Sequence, residues 1–353
     1  MKPFRLHLRL EGPLGTPLSA DTLFGHLCWG IVYHEGTAAL ETFLAAMRSA
    51  DPPLVFGDPM PAGFLPAPVL PPRDLAEADR IEAVAGGVVD RQAKSRGLGA
   101  LSPGERLKRT HALRKGASKA AWLPADALAT SLDDLSAASV FDLALDAAVP
   151  PALCRAEVVH NTINRLSQHT ADEGGLYVLA EEFPPLADGA PRPGMDFDVY
   201  LLTTLTPGRV RTLFEQGLAG GYGRDASAGK GKVTVGDLDD RPWPAARDPN
   251  AALALGVFAP ASDDPAQGWW RITVRLGKLG GPWAFDDGGR HPPFKYPLIL
   301  LRPGAVLAPL RRQFLGRVVE GIHPTRPEVV TYAMAPVLPV RCPALATAGA
   351  EVA

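Results

Sequence analysis

The sequence has few cysteines, and none of them is spaced for a metal site or a disulfide framework. Cys28, Cys154 and Cys342 are far apart and odd in number, and no CxxC pair occurs. Structural zinc sites and small disulfide-stapled domains both depend on closely spaced cysteines. We therefore expect no metal ligands, no cofactor and no disulfide framework, and we interpret Cys28 as a small buried apolar residue.

Long apolar segments are also lacking. No stretch approaches about 18 apolar residues without charge, the length at which a membrane helix is considered. Residues 1–8 alternate between apolar and polar side chains and have no apolar core of the kind found in signal peptides. We therefore expect no membrane span and a reducing, cytoplasmic location.

The chain has no large excess of charge of either sign. Its 353 residues include 36 basic and 38 acidic side chains, giving a formal net charge of −2. Proteins that bind nucleic acid without sequence preference are usually basic overall. An RNA-binding function would therefore require positive charge concentrated in one part of the chain.

Residues 91–119 meet that requirement. They contain nine lysines or arginines and one acid, Glu105. Such a segment binds phosphates through counterion release, and a solvated or disordered loop is the alternative that composition leaves open. The candidates for phosphate contact are Lys108, Arg109, Arg114, Lys115 and Lys119.

Local patterns predict the secondary structure of the N-terminal part. Alternation over 4–11 predicts a strand, and Ser19 with Asp21 marks the start of a helix. A further strand is predicted at 195–205, followed by a helix that begins at Pro207. Strands are also predicted at 233–235, 270–276, 296–301 and 329–340.

The order strand, helix, strand, strand, helix, strand is that of a ferredoxin-like βαββαβ unit. We predict an α+β protein of two ferredoxin-like, RRM-like domains, the first at 1–240 and a degenerate second one at 250–343. Two large insertions are predicted in the first domain. They are a basic, helical segment at 75–155 and a long β-hairpin at 156–183.

Glycines are concentrated in a loop at 217–232, between a predicted helix and a predicted strand. The loop is not a P-loop, because Gly223 and Gly229 enclose five residues and Lys230 is followed by glycine. No GxGxxG opens a helix, which excludes a dinucleotide fingerprint. Closely spaced glycines let backbone N–H groups approach an anion, whereas a flexible connector is the alternative.

Two groups of residues are therefore candidates for RNA contact. In the loop, basic side chains would bind phosphate, the serine would supply a hydroxyl and the tyrosine a stacking face. These residues are Gly221, Tyr222, Gly223, Arg224, Ser227, Gly229, Lys230 and Lys232. In the hairpin, polar residues alternate with apolar ones, which fits an RNA-facing strand or an ordinary amphipathic one. These residues are His160, Asn161, Asn164 and Arg165.

His26 is the best-placed histidine for general acid–base cleavage of RNA. It lies among core residues of the first predicted helix, however, where a packed histidine is the favoured interpretation. No acidic pair has metal-binding spacing, and no local signature of a Ser-His-Asp triad occurs. We expect no catalytic residue; a metal-independent endoribonuclease, or an unrelated α+β enzyme whose glycine loop binds a nucleotide, is the alternative.

Three segments together resemble the RAMP proteins of type III CRISPR effector complexes. The first is the predicted strand followed by Thr-Pro-Leu-Ser-Ala-Asp-Thr-Leu-Phe-Gly at 16–25, and the second is Asn-Thr-Ile-Asn-Arg at 161–165 with Leu-Tyr at 176–177. The third is the glycine loop, which is similar to the family pattern G-x-G-(K/R)-x-x-S-x-G-x-G. The chain has Asn164 where aspartate is commoner in the family.

Within this family, the sequence most resembles the Cas5 group, whose Csm-complex member binds the crRNA 5′ tag. The resemblance implies a non-catalytic subunit that holds the tag in antiviral defence, and the family alternative is an endoribonuclease that processes precursor crRNA. The implied partners are crRNA, target RNA near the duplex start, the large cyclase-like subunit and the backbone RAMP subunits. The implied contacts include a thumb hairpin with Asn161, Asn164 and Arg165, and the first helix with Ser19, Asp21 and Thr22.

Overall fold

The computed structural model describes residues 1–72, 74–170, 175–187, 190–191, 194–285 and 290–346. The helices are α1 (Ala20–Glu35), α2 (Thr37–Met47), α3 (Leu75–Ser95), α4 (Pro103–Ala117), α5 (Ala125–Ala129), α6 (Ala137–Asp146), α7 (Pro207–Leu218) and α8 (Pro343–Ala346). The N-terminal strands are β1 (Lys2–Leu10), β2 (Leu54–Phe56), β3 (Met60–Pro61), β4 (Phe64–Pro66), β5 (Trp122–Pro124), β6 (Cys154–Asn161), β7 (Leu176–Phe183), β8 (Leu186–Ala187), β9 (Ala190–Pro191), β10 (Met195–Thr203) and β11 (Val233–Asp239). The C-terminal strands are β12 (Ala251–Ala254), β13 (Gln267–Trp269), β14 (Ile272–Arg275), β15 (Leu298–Leu301), β16 (Val306–Ala308), β17 (Phe314–Val319) and β18 (Thr331–Val340). The predicted α+β class is confirmed.

The N-terminal sheet has the order β11-β1-β10-β2, and β3 also pairs with β10. Every pairing in it is antiparallel. The alternation predicted for the first strand is confirmed, because the apolar side chains of β1 are buried against α1 and α7. The two helices approach closely at Gly30, where a Cβ would lie 2.8 Å from the backbone nitrogen of Gly217.

A second sheet, of order β13-β16-β12-β18-β17, forms the C-terminal half. Its strand β18 meets β2 of the first sheet through Tyr332, whose ring stacks on Phe56 with centroids 4.6 Å apart. The Tyr332 hydroxyl also accepts a hydrogen bond from the Phe56 N–H and donates one to the Phe56 carbonyl oxygen. The two halves therefore share one apolar core at this contact.

Asp58 is a second link between the halves. One carboxylate oxygen accepts a hydrogen bond from the N–H of Ala20, in the first turn of α1, at 2.8 Å. The other oxygen accepts one from the N–H of Val257, after β12, at 2.9 Å. The side chain is buried, and burial raises the pKa of its carboxyl group to about 6.

The predicted insertions are a helical layer and a β-hairpin. Residues 91–119 belong to the end of α3 and to α4, which begins at Pro103 with Ser102 as its N-cap, so most of this basic segment is helical rather than a loop. The hairpin consists of β6 and β7, which pair antiparallel with Val159 opposite Val178. Residues 171–174 of the predicted hairpin lie outside the described residues. No helix within the described ranges has the length and apolar character needed to cross a membrane.

Candidate nucleic-acid interface

The glycine-rich loop folds back on itself and on the connection between β1 and α1. The N–H of Tyr222 donates to the carbonyl oxygen of Gly231 at 2.8 Å. The N–H of Gly231 in turn donates to the carbonyl oxygen of Pro13 at 2.7 Å. The backbone of Gly231 has a φ of +66°, and a Cβ there would lie 2.0 Å from the Tyr222 carbonyl oxygen. Glycine is therefore required at 231 for a fixed loop, which does not fit the alternative of a free connector.

Most amides of the loop glycines are engaged within the fold. The N–H of Gly221 donates to the Leu218 carbonyl, that of Gly229 donates to the Ala226 carbonyl, and that of Gly223 donates to Nε2 of His26 at 2.9 Å. The expectation that the amides of Gly221, Gly223 and Gly229 point at an anion is therefore wrong for this conformation. These glycines shape the loop, which leaves its basic side chains as the candidates for phosphate binding.

Tyr222 is a core residue, so the stacking face predicted for it is wrong. Its side chain is 0% exposed. The hydroxyl accepts a hydrogen bond from the Ser19 N–H at 3.0 Å and donates one to the Pro17 carbonyl at 2.8 Å. Burial raises the pKa of the phenol and keeps it protonated at neutral pH. Tyr222 thus anchors the loop to the N-terminus of α1.

Replacing Tyr222 with phenylalanine is expected to lower the free energy of unfolding by about 1–3 kcal/mol, because the buried Ser19 N–H and Pro17 carbonyl lose their partner. Urea denaturation at constant pH measures this change. The matched control is Tyr33→Phe, at a largely exposed tyrosine of α1, which should change stability by less than about 0.5 kcal/mol. Equal stability of the Tyr222→Phe variant and the unmodified chain would contradict the anchoring role.

His26 occupies a structural position beside the loop. Its Nε2 accepts the hydrogen bond from Gly223, and its ring lies 5.2 Å from that of Tyr222. Burial lowers the pKa of the imidazole, and a hydrogen bond with the Gly217 backbone opposes that change only in part. Because Nε2 already accepts the Gly223 hydrogen bond, its lone pair is engaged, which favours the packed-histidine interpretation over that of a general base.

The predicted residues at the start of α1 form a network among themselves. The Ser19 hydroxyl donates to Asp21 at 2.6 Å and also lies 3.1 Å from the hydroxyl of Thr22. The Asp21 carboxylate accepts two hydrogen bonds, each 3.0 Å long, from Arg275 of β14. Ser19 is buried, Asp21 is paired and the Thr22 hydroxyl contacts that of Ser19, so all three side chains are engaged within the fold.

The predicted cations of the loop are brought together, but each has an acidic neighbour. Lys230 is 11% exposed and contacts the carboxylates of Glu181 and Asp225. Lys232 is 72% exposed and lies 2.6 Å from Glu11. Arg224 is exposed, and its guanidinium donates to the Ala180 carbonyl oxygen of β7 at 3.1 Å. The same guanidinium lies 3.3 Å from the Asp225 carboxylate. Ser227 is exposed as well.

Glu181 joins the loop to the base of the hairpin. Besides Lys230, its carboxylate contacts Nε2 of His160 at 2.7 Å. Burial alone would raise the pKa of Glu181, but the hydrogen bonds from Lys230 and His160 outweigh it and lower the pKa. Sequence reasoning missed Glu181, Asp225 and Glu11, and only the position of Asp225 within the glycine loop offered a local signal.

The hairpin residues differ in what they present to solvent. Asn161 and Arg165 are exposed, whereas His160 is held by Glu181 and stacks on Tyr177 with centroids 5.4 Å apart. The Asn164 side-chain oxygen accepts a hydrogen bond from the Leu166 N–H at 2.9 Å, which shapes the turn at the tip. Of the four predicted hairpin residues, Asn161 and Arg165 are therefore the ones that are exposed and have no such contact with another described residue.

The basic helix α4 forms a separate surface. Lys108, Lys115 and Lys119 are exposed, whereas Arg109 pairs with Glu105 at 2.7 Å and Arg114 pairs with Glu82 of α3. A cavity of about 450 Å³ lies beside this helix. Its lining is largely apolar, contains no acidic residue and includes His111, Arg114, Lys115 and Arg271. Among the described residues, no hydrogen bond or ion pair joins α4 to the glycine-rich loop.

Over the part of the chain that the structure describes, no three His, Cys, Asp or Glu side chains lie together in a way that would hold a metal ion. The elements that are assembled are a helical insertion, a hairpin and a glycine-rich loop on an antiparallel sheet.

The fold is similar to that of Csm4 in solved structures that contain it. A Csm1-Csm4 cassette in complex with AMPPNP matches with a TM-score of 0.52 and 15% identity, over 97% of this chain and 99% of the other. The same cassette in complex with pppApA matches with a TM-score of 0.52 and 16% identity, and in complex with cA4 with a TM-score of 0.51 and 16% identity. Both matches cover 97% of this chain and 99% of the other. No protein-family model and no curated protein matches the sequence.

Proposed function

We propose that this protein is a crRNA-binding structural subunit of a type III CRISPR–Cas effector complex, acting in antiviral defence. The observation that carries the proposal is the Csm4-like fold over nearly the whole of both chains. The finer assignment, which is that the subunit holds the repeat-derived 5′ tag, is supported by the convergence of the glycine loop and the hairpin at Glu181.

The N-terminal domain is proposed to be ferredoxin-like. Its strands have the order β11-β1-β10-β2 in the sheet. Along the chain, α1 follows β1 and α7 follows β10. Both features support that assignment. The C-terminal sheet is proposed to be a degenerate copy. Between residues 250 and 343, the described residues form strands and no helix longer than four residues.

We propose that the subunit works in the cytoplasm and assembles with other proteins and with RNA. The similar fold was crystallised in a cassette with Csm1, which supports a corresponding large cyclase-like subunit as one partner. Backbone RAMP subunits, the crRNA 5′ tag and target RNA near the start of the guide–target duplex complete the proposed set. The near-neutral net charge fits a protein that shares its surface between RNA and protein partners.

RNA phosphates would compete with carboxylates for the loop cations. Arg224 and Lys232 are exposed and can bind a phosphate without a change of backbone. Lys230 must first leave Glu181 and Asp225, which makes its contribution smaller. The exposed lysines of α4 offer a second site for the RNA backbone, beside the apolar cavity.

We propose a non-catalytic role, because Nε2 of the best-placed histidine, His26, is engaged by the N–H of Gly223. Incubating the purified chain with labelled repeat RNA tests this assignment. Metal-independent cleavage that disappears in a His26→Ala variant would replace the scaffold proposal with that of an endoribonuclease that processes precursor crRNA.

Removing the loop charges is expected to weaken binding of a labelled crRNA tag by roughly 10- to 100-fold. The Arg224→Ala, Lys230→Ala, Lys232→Ala triple variant loses up to three phosphate contacts, and each contact contributes about 0.7 to the slope of log affinity against log salt for single strands. Fluorescence anisotropy between about 50 and 200 mM salt measures both changes.

The matched control removes three exposed arginines on other elements, at Arg80, Arg247 and Arg311, and lowers the net charge equally. This control should retain the affinity and the salt slope of the unmodified chain. If both triple variants lose affinity equally, binding follows overall charge, and the proposed site at the loop is wrong. If the unmodified chain shows no affinity for the tag, the RNA-binding function itself is contradicted.

A further inference from the structure

A two-stranded ribbon in the C-terminal half exposes an apolar stripe. Strand β14 pairs antiparallel with β15, with Val274 opposite Ile299. The side chains of Ile272, Val274, Leu276 and Ile299 are each more than half exposed. We call these four residues the ribbon face. Antiparallel ribbons normally turn such residues inward and polar ones to water.

The polar residues of β14 point the other way. Thr273 and Arg275 are half-buried, and their neighbour on β15, Leu300, is buried. The guanidinium of Arg275 makes two 3.0 Å hydrogen bonds to Asp21 on α1, which fixes which side of the strand faces the protein. A shift by one residue would bury the apolar side chains but would break this ion pair. The exposure of the ribbon face is therefore determined by the fold.

The segments that form and flank the ribbon carry positive charge. Residues 267–285 and 290–304 contain no aspartate or glutamate, and the intervening Asp286 and Asp287 lie outside the described residues. The exposed cations of these segments are Arg271, Lys278, Arg290 and Arg302, and the acidic side chain that contacts the ribbon, Asp21, is paired with Arg275. An apolar centre with a basic rim is complementary to a protein surface that has an apolar centre and an acidic rim.

The chemistry of the stripe favours a protein over RNA as its occupant. Its centre consists of aliphatic side chains, whereas single-stranded RNA is bound by aromatic faces on which bases stack. Exposed aromatic residues lie at its margin, and one of them, Phe294, already has Lys278 over its ring at 5.9 Å. Aromatic residues and arginines beside an apolar centre are the composition of interaction hot spots between proteins.

The edge of β14 provides a further means of attachment. Among the described strands, β14 pairs with β15 alone. Its outer edge therefore has backbone donors and acceptors that a strand of a partner can pair with. A two-stranded ribbon is marginal by itself and gains stability when a further element covers it.

We propose that the ribbon face binds the large cyclase-like subunit through an apolar segment of that subunit flanked by acidic residues. This inference rests on the proposed function, which supplies the partner. The experiment uses the full-length chain, co-expressed with the large cyclase-like subunit of its complex and purified through a tag on that subunit. Light scattering after size exclusion gives the composition of the complex, and titration gives its affinity.

An Ile272→Glu, Leu276→Glu double variant is expected to bind the large subunit on the order of 100-fold more weakly, because two charges would enter an apolar contact at about tenfold each. Both positions are exposed, so folding and affinity for the crRNA tag should stay unchanged. The matched control, Leu75→Glu, changes an exposed apolar residue on α3 and should bind like the unmodified chain.

Each other outcome overturns the inference in a recognisable way. Retained binding of the large subunit by the double variant would exclude this face while leaving the proposed function intact. Lost affinity for the crRNA tag in the double variant would assign the face to RNA. A dimer that the double variant converts to a monomer would assign it to a second copy. If the unmodified chain binds neither the large subunit nor the tag, the proposed function fails as well.

Discussion

Replacing Gly231 with alanine is expected to lower the free energy of unfolding by about 2–5 kcal/mol. About 1–2 kcal/mol comes from placing an L side chain at a φ of +66°. A further 1–3 kcal/mol, roughly, comes from the collision of the new Cβ with the Tyr222 carbonyl, which lies 2.0 Å from its ideal position. Urea denaturation followed by circular dichroism measures the sum.

The same loop offers a control that separates the two contributions. Gly229 also has a positive φ, of +88°, but a Cβ there meets nothing within 4 Å. Gly229→Ala should therefore cost only the conformational part, about 1–2 kcal/mol. Equal destabilisation by the two substitutions would show that the close approach of Gly231 to Tyr222 does not constrain the loop.

Replacing Asp58 with alanine is expected to lower the free energy of unfolding by about 2–6 kcal/mol. The substitution leaves the buried N–H groups of Ala20 and Val257 without acceptors, at about 1–3 kcal/mol each. Chemical denaturation at fixed pH measures this loss. Asp237→Ala, at an exposed aspartate of β11, is the control and should cost less than about 0.5 kcal/mol. A similar small loss at Asp58 would contradict its role as a link between the two halves.

The same residue makes stability depend on pH with a defined sign. Burial raises the pKa of Asp58 from about 3.8 in the unfolded chain to about 6 in the folded one. The protonated carboxyl group therefore contributes its full share to the free energy of unfolding below about pH 4. This contribution is lost as the pH rises through about 6. The free energy of unfolding of the unmodified chain, minus that of Asp58→Asn, should decrease over this interval. A difference that rises or stays constant would contradict the raised pKa.

The elements of the N-terminal sheet could be predicted because their signals are local. Alternation marked β1, and an N-cap with an acid in the first turn marked α1. The proline at 207 marked the start of α7. In each case the residues that carry the signal lie within the element itself. The local pattern also agrees with the core that the element helps to form.

The environment of Tyr222 could not be predicted in this way. Its hydroxyl pairs with Ser19 and Pro17, which lie more than two hundred residues away in the chain. A tyrosine among glycines and lysines has the composition of an exposed ligand-binding loop, and only the fold over the β1–α1 connection buries it. The acidic partners of Lys230 and Lys232, Glu181 and Glu11, were missed for the same reason.

The orientation of β14 is a third case in which a distant contact decides the outcome. The strand was predicted at 270–276, and alternation within it is clear. Alternation alone places Val274 on the protein side, whereas the pair formed by Arg275 and Asp21 places it in solvent. The periodicity of a strand gives its two faces, but a partner elsewhere in the chain selects which face is buried.

Lys230 is shared between the loop and the hairpin, and this sharing links the two mechanically. Its ammonium group holds Glu181 of β7 as well as Asp225 of the loop. An anion bound by Lys230 would therefore compete with Glu181 and Asp225 for the same ammonium group. If Lys230 left, Glu181 would keep only the contact with His160, so a buried carboxylate would lose one of its two cationic partners.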